Sequence, residues 1–304
     1  MTKILFAADG SEASLRAARG LTGMLRWCNA TDVLVLNVQP EPSLLSEVVP
    51  DSVRERVASR TREEGERALA MACALLREVA TRCATTVRFG DAAMAIAQAA
   101  ETLDCPMIAM GSHGAGAIGS LLTGSVTTKV IHIGSRPVLV IPSARLLTGS
   151  ADGPPQRAGR VLVPVDGSAG ATAALSEVLR IASWFRDAPE IHLLAVCQGT
   201  PLDVEIAAMV SAQALREHQH RQFEAALAPA RAVLSGTAFQ ATEHTATGPP
   251  AEEICASVAA HRCDLVCMGT RGMGAVRNLI LGSTAAKVLR AADVPVLVVP
   301  PAAP

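Results

Sequence analysis

The sequence predicts an α/β fold in which two doubly wound domains each contain a five-stranded parallel sheet. Short runs of Val, Ile and Leu without polar alternation recur along the chain, as expected for strands covered on both faces. Longer segments with helical periodicity separate these runs, and such alternation favours a parallel sheet with right-handed crossovers. The whole pattern occurs twice in 304 residues, a length that suits two domains.

Each predicted element rests on one apolar run or one helical segment. In the first half we predict strands at 3–8, 32–38, 84–89, 107–110 and 137–141, and helices at 12–27, 51–80, 92–102 and 124–133. The second half repeats this order, with strands at 160–165, 190–196, 238–245, 265–268 and 295–299, and helices at 170–185, 203–234, 250–261 and 282–291.

The two halves are related by an internal duplication. Residues 4–11 match residues 161–168, and residues 111–142 align with residues 269–300 without a gap, with 14 of 32 positions identical. We therefore predict one domain over 1–145 and a second over 159–304. The segment between them, 146–158, contains Gly, Pro and small polar residues, a composition typical of an exposed linker.

Composition and charge exclude several classes of protein. Half of the residues are hydrophobic and 18% are charged, which excludes a disordered chain. Aromatic residues make up 2%, so modules that stack nucleic-acid bases on aromatic side chains are not expected. The net charge is −1 and no basic run is present, so we expect no nucleic-acid partner. The N-terminus lacks a signal-peptide pattern, and Gly residues interrupt the longest uncharged stretch, so we expect no membrane partner and a cytoplasmic location.

The eight cysteines do not form a recognisable framework. There is no Cys-x-x-Cys, and a set of disulfides is not expected in a long chain without a secretion signal. Cys263, Cys267 and His261 could be read as metal ligands, but Cys267 lies in an apolar strand, where a free Cys behaves as a small hydrophobe. We therefore predict no metal site.

Two glycine-rich motifs follow predicted strands in both halves, where doubly wound sheets bind their ligands. Asp-Gly-Ser follows the first strand, and Gly-x₂-Gly-x₉-Gly-Ser follows the fourth. Glycines let backbone amides approach an anion, and a helix N-terminus favours negative charge. Ser125 and Ser283 stand where an N-cap residue would stand. The spacing predicts a phosphate-binding edge; glycines that only form turns remain the structural alternative.

Together with the Pro-Val-Leu-Val run that ends each half, these motifs resemble the universal stress protein family, here in a tandem form. The resemblance covers almost the whole chain except the linker. It implies an adenine-nucleotide-binding fold with sheet order 3-2-1-4-5 and ATP as the ligand, with Mg²⁺ accompanying its phosphates. It also implies that the last strands, 137–141 and 295–299, pair the two domains as an intrachain pseudo-dimer, and it leaves a homodimer open.

The resemblance also implies roles for individual residues. Asp9 and Asp166 would lie near the ribose or the phosphate-bound metal, and Val38 and Val196 would offer backbone groups to adenine. The third loop position holds His113 or Arg271, of which Arg is the more reliable cation at neutral pH. The remaining positions would hold phosphate through backbone amides or hydroxyls: Gly111, Gly114, Gly124, Ser125 and Val126 in the first half, and Gly269, Gly272, Gly282, Ser283 and Thr284 in the second.

The sequence offers few candidate catalytic residues. A strong phosphoryl-transfer site needs several metal-holding carboxylates, a positioned Lys or Arg and an oriented nucleophile, whereas each half offers one Asp and no lysine in the loop. We therefore predict no catalytic residues and a nucleotide-binding regulatory protein with at most slow ATP hydrolysis. The alternatives are a slow ATP hydrolase, a stress-response scaffold that binds no nucleotide, and an adenylyl-transferring or nicotinamide-dependent enzyme of the same layered fold.

Overall fold

The computed structural model describes residues 2–41, 51–112, 124–142, 159–198, 212–270, 272 and 281–301. The chain divides into two compact units, Met1–Gln156 and Arg157–Pro304. The predicted linker lies outside the described residues.

Unit one alternates strands and helices throughout. Its elements are β1 (Thr2–Ala7), α1 (Glu12–Leu25), β2 (Thr31–Gln39), α2 (Asp51–Leu76), β3 (Arg82–Phe89), α3 (Ala92–Thr102), β4 (Met107–Gly111), α4 (Ser125–Ile133) and β5 (Val138–Ile141).

Unit two follows the same order of elements. They are β6 (Arg160–Val165), α5 (Ala169–Ala182), β7 (Glu190–Cys197), α6 (Ala212–Leu234), β8 (Ala241–Thr247), α7 (Pro250–His261), β9 (Leu265–Gly269), α8 (Ser283–Ala291) and β10 (Val296–Val299).

The strand order within each unit is the predicted 3-2-1-4-5. Unit one runs β3-β2-β1-β4-β5 and unit two runs β8-β7-β6-β9-β10, and the described pairings within each unit are parallel. The central strands form the core: Leu5 and Phe6 of β1, Ile108 of β4 and Leu162 of β6 are fully buried. In unit one α1 packs on α2 and α3 packs on α4, and unit two repeats this arrangement.

The predicted boundaries are least accurate at the edge strands. The strand predicted at 238–245 lies at Ala241–Thr247, and the strand predicted at 84–89 begins at Arg82. Both edge strands are partly exposed and rich in Thr, so no apolar run marks their ends. Of the helix predicted at 203–234, residues 203–211 lie outside the described residues. No described helix is both long enough and apolar enough to cross a lipid bilayer.

A disulfide joins α2 to the edge strand β3, contrary to the expectation of unpaired cysteines. It links Cys73 and Cys83, whose Cα atoms lie 6.2 Å apart. The equivalent positions in unit two are Ala230 and Ala241. The position on the helix follows from the matching contacts Gly10–Ala68 and Gly167–Ala225, and the position on the strand follows from the matching registers. Both cysteines are therefore replaced together in the second copy. No sequence pattern identified the pair, because the turn after α2 brings the two residues together.

We expect reduction of the Cys73–Cys83 bond to destabilise unit one by about 2–3 kcal/mol, because the bond closes a short loop in the unfolded chain. Urea unfolding with and without a thiol reductant, followed through hydrogen exchange of the β3 amides, measures this difference. The variant C73A/C83A carries the residues of unit two and should not respond to the reductant. An equal response of both proteins would contradict the assignment.

Candidate functional site

The candidate site of each unit lies at the carboxyl edge of its sheet, beside the two central strands. β1 pairs with β4 and β6 pairs with β9, both in parallel, so the carboxyl ends of each pair lie at the same edge. The chain leaves β1 into α1 and β4 towards α4, which belong to different helix pairs. Such a switch point is where doubly wound sheets bind ligands. This pairing brings the Asp-Gly-Ser motif of each unit to the same edge as Gly111 and Gly269, the last residues of β4 and β9.

The Asp-Gly-Ser motif of unit one forms a fixed turn at the start of α1. The Asp9 Oδ1 atom accepts a hydrogen bond from the Ser11 amide at 2.9 Å, and Ser11 Oγ accepts one from the Ser14 amide at 3.1 Å as the N-cap of α1. Gly10 has a φ of +76°, and a Cβ there would lie 2.8 Å from Ala68 of α2. Glycine is thus required by both conformation and space.

Unit two repeats this turn with nearly the same distances. Asp166 Oδ1 accepts from the Ser168 amide at 3.0 Å, and Ser168 Oγ caps α5 by accepting from the Ala171 amide at 3.2 Å. Gly167 has a φ of +82° and lies against the backbone of Ala225 in α6. The carboxylates of both units are therefore held in the same local geometry.

Gly269 at the end of β9 and Gly272 three residues later make direct contact between the motifs possible in unit two. A Cβ on Gly272 would collide with the carboxylate of Asp166. A Cβ on Gly269 would lie 2.6 Å from the carbonyl oxygen of Gly170, in the first turn of α5. The missing side chains thus let Gly272 approach the aspartate and Gly269 approach the start of α5. The motif spacing predicted this closeness, but not that the glycines leave room for protein atoms.

The helices that follow the glycine loops begin without a side-chain cap. Their N-cap residues are Gly124 and Gly282, and neither cap offers a side-chain hydrogen bond. The prediction that Ser125 and Ser283 are N-caps is therefore wrong by one residue, because both already have helical backbone. The first amides of a helix have no intrahelical acceptor, so the start of α4, including Val126, presents backbone donors. The start of α8, including Thr284, does the same.

Short backbone bonds place both helix starts at the sheet edge. The Gly124 amide donates to the Ser112 carbonyl at 2.7 Å, and the Gly282 amide donates to the Thr270 carbonyl at 2.7 Å. In unit one Thr127 Oγ1 also donates to the carbonyl of Gly111, the last residue of β4, at 2.9 Å. Each helix N-terminus is therefore fixed directly beside the end of the fourth strand.

The remaining predicted site residues divide into two groups. Val38 and Val196 are the penultimate residues of β2 and β7, so they lie at the same carboxyl edge, one strand away from the aspartates. His113, Gly114 and Arg271 lie outside the described residues.

Asn37 is a site residue that the sequence prediction missed. It is 1% exposed, and its Nδ2 donates to the carbonyl of Ala8, the residue before Asp9, at 2.7 Å. Its Oδ1 accepts from Gln39 Nε2 at 2.8 Å. A Cβ on Gly65 of α2 would lie 2.8 Å from the same Oδ1, so the glycine leaves the room that the amide occupies. The available signal was an Asn directly after the apolar run 33–36.

Unit two has a different set of residues at this point. The strand registers and the Gly–Ala contacts place Ala195, Cys197 and Gln222 where unit one has Asn37, Gln39 and Gly65. The Cys197 thiol donates to the side-chain oxygen of Gln222, whose nitrogen lies 3.0 Å from His218 Nε2. A glutamine therefore lies on the strand in unit one, as Gln39, and on the helix in unit two, as Gln222. The two candidate sites thus share the aspartate turn but differ at the end of the second strand.

Comparison with known proteins identifies both units with one family. The model of the Universal stress protein family matches residues 1–142 and 158–300. A universal stress protein from Methanocaldococcus jannaschii is 30% identical over 141 residues, which cover 46% of this chain and 81% of that protein. One from Mycolicibacterium smegmatis is 26% identical over 195 residues, covering 64% of this chain and 62% of that protein.

Solved structures share the fold over nearly the full length. A universal stress protein from Archaeoglobus fulgidus has a TM-score of 0.66 and 23% identity, covering 98% of this chain and 96% of that one. A protein from Pseudomonas aeruginosa described as a putative universal stress protein has a TM-score of 0.56 and 19% identity, covering 99% and 94% of the two chains. At these identities the structures support the fold.

We expect Asn37→Ala to destabilise unit one by about 1–3 kcal/mol, because it leaves the buried Ala8 carbonyl without its side-chain donor. Gly65→Ala should also destabilise this unit, since its methyl group would press against Asn37 Oδ1. Local stability is measured by hydrogen exchange of the β1 and β2 amides.

The double variant N37A/G65A tests whether the two effects share one cause. Removing the Asn37 amide removes the closest contact and leaves the two Val87 methyl groups, 3.2 Å from the new Cβ. Gly65→Ala should therefore cost less in the Asn37→Ala background, with a coupling of about 1 kcal/mol. Additive costs would show that the two residues do not constrain each other.

Proposed function

The chain belongs to the universal stress protein family, and from this premise we propose that both units bind ATP at the carboxyl edges of their sheets, with Mg²⁺ accompanying the nucleotide. ATP occupancy then regulates the conformation or the partner choice of the protein. The proposal assigns no catalytic residue, and any hydrolysis is slow.

The uncapped starts of α4 and α8 carry this proposal. In the same two units, the N-cap residues of α1, α3 and α5 are Ser11, Asp91 and Ser168, whose side chains each accept a backbone hydrogen bond. α7 also lacks a side-chain cap, but it begins with Pro250, which has no amide hydrogen to donate. The helices after the glycine loops have glycine as their N-cap residue and leave their first amides to another acceptor. Phosphate oxygens suit such donors, and the positive end of the helix dipole adds to the attraction.

The rest of the edge suits the other parts of the nucleotide. Asp9 and Asp166 are fixed by their turns beside the glycine loops, where a carboxylate can meet a ribose hydroxyl or Mg²⁺. Val38 and Val196 offer backbone groups to adenine one strand away. In this proposal the loop residues complete the phosphate site, with amides from the glycines and a cationic side chain from Arg271.

We expect Gly272→Ala to weaken ATP binding by unit two by at least about tenfold, because the new methyl group displaces the Asp166 carboxylate. Titration calorimetry of the full chain with ATP and Mg²⁺ should give two sites for the parent and one remaining strong site for the variant. Gly236→Ala is the matched control, since a Cβ at Gly236 meets no atom within 4 Å. It should leave both sites unchanged.

Other results of the same measurements distinguish the alternatives. Absence of a thermal shift with ATP, AMP or NAD would favour a scaffold that binds no nucleotide, since any ligand of the native state raises its melting temperature. Rapid steady-state release of phosphate, lost in the Asp166→Ala variant, would identify an ATP hydrolase.

A further inference from the structure

Three histidines of unit two form a cluster away from the candidate site. His192 of β7 and His244 of β8 lie edge to edge, with Nδ1 of the first 2.9 Å from Nε2 of the second and the rings 6° from parallel. His261, the last residue of α7, stacks on His244 with ring centroids 3.7 Å apart. The His192 side chain is 11% exposed. These three residues, the histidine cluster, join two strands to the helix that covers them.

The hydrogen bond between the rings restricts their protonation. A bond between two imidazole nitrogens needs one N–H group and one lone pair, so it exists when both rings are neutral or when one is charged. It cannot exist when both rings are charged. The stacked His261 adds to this restriction, because positive charges on the stacked His244 and His261 rings would repel each other.

The cluster is not arranged as a metal centre. Two of its nitrogens are occupied by their mutual hydrogen bond, and the third ring stacks on a face instead of directing a nitrogen to a common point. Within the part of the chain that the structure describes, no group of three His, Cys, Asp or Glu side chains could hold a metal ion.

Charged groups from the neighbouring elements partly surround the rings. Arg160 of β6 donates to Glu190 of β7 at 2.7 Å and to the carbonyl of His261 at 3.3 Å. Glu190 Oε2 lies 3.9 Å from His192 Nε2 and favours its charged form, whereas Arg160 opposes it. Asp264, before β9, accepts from the Arg160 amide and so anchors the arginine. The Glu190 carboxylate, which lies against His192, already pairs with Arg160 and cannot neutralise two imidazolium rings as well.

Unit one has no histidine at the equivalent positions. The strand registers align His192 with Leu34 and His244 with Thr86. His261 aligns with Leu103, whose carbonyl accepts from Lys3 as that of His261 accepts from Arg160. All three histidines are therefore particular to unit two, and the fold of the unit does not itself require them.

We propose that the histidine cluster is an acid-sensitive contact that holds the edge strand β8 and the end of α7 to β7 at neutral pH and releases them on acidification. Protonation of both paired rings breaks the hydrogen bond between the strands and places like charges in contact. The opening is confined to this side of unit two, because the equivalent contact in unit one contains no titratable side chain.

The direction of the pH dependence follows from the burial of the rings. Burial, His261 and Arg160 lower the pKa of His192 against the opposing effect of Glu190. Burial, His261 and His192 lower the pKa of His244. The open state therefore binds more protons than the closed state as the pH falls below about 6.5. Stability is complete above this pH and falls as the pH drops towards the depressed folded values. Each of the two rings changes the opening equilibrium by up to about tenfold per pH unit in this window.

Hydrogen exchange of the full chain at about pH 7.5 and about pH 5, corrected for intrinsic exchange, tests this proposal. We expect the protection of the β8 amides to fall by at least about tenfold at the lower pH, while that of the β3 amides in unit one stays within about twofold. The matched variant is H192L/H244T, which carries the residues of unit one. Its β8 protection should not depend on pH in this window.

Two outcomes would overturn the proposal. One is equal loss of β8 protection in the parent and in the variant. The other comes from NMR titration of the histidine rings in the parent protein, which does not depend on the variant folding. If His192 and His244 both titrate at or above the ordinary histidine pKa of about 6.5, the folded cluster accepts protons without cost and cannot respond to acid.

Discussion

The parallel pairing of the first and fourth strands is the constraint on which the site depends. These strands are distant in sequence, yet their pairing fixes Ile4 beside Met107 in unit one and Val161 beside Leu265 in unit two. Because parallel strands end at the same edge, the aspartate turn and the end of the fourth strand must then lie side by side. Gly272 makes this proximity close enough for its backbone to reach the Asp166 carboxylate.

Where the two units differ, residues that contact each other differ together. Both cysteines of the disulfide become alanines in the second copy. Asn37, whose amide fits beside Gly65, corresponds to Ala195 in unit two, and Gly65 corresponds to Gln222. In a close-packed interior a change on one side of a contact is tolerated when the other side changes with it. The shared fold therefore survives although individual contacts do not.

The sequence predicted features that depend on local spacing and missed those that depend on contacts between elements. The alternation of apolar runs and helices predicted the element order correctly, and the glycine spacing predicted a candidate site at the carboxyl edge. The N-cap prediction at Ser125 failed by one residue, since both Gly and Ser are common there and only backbone geometry separates them. His192 and His244 are 52 residues apart, and only the register between β7 and β8 brings them together.

The position of the histidine cluster within its strands separates it from the candidate site. His192 is the third residue of β7, near the amino edge of the sheet, whereas Val196 lies near the carboxyl edge. A strand rises about 3.3 Å per residue, so about 13 Å of paired backbone lies between the two positions. Residues at one edge of the sheet do not contact those at the other edge, so either group can change without affecting the other directly. This separation explains how a duplicated fold can keep its aspartate turns while one copy gains a titratable contact.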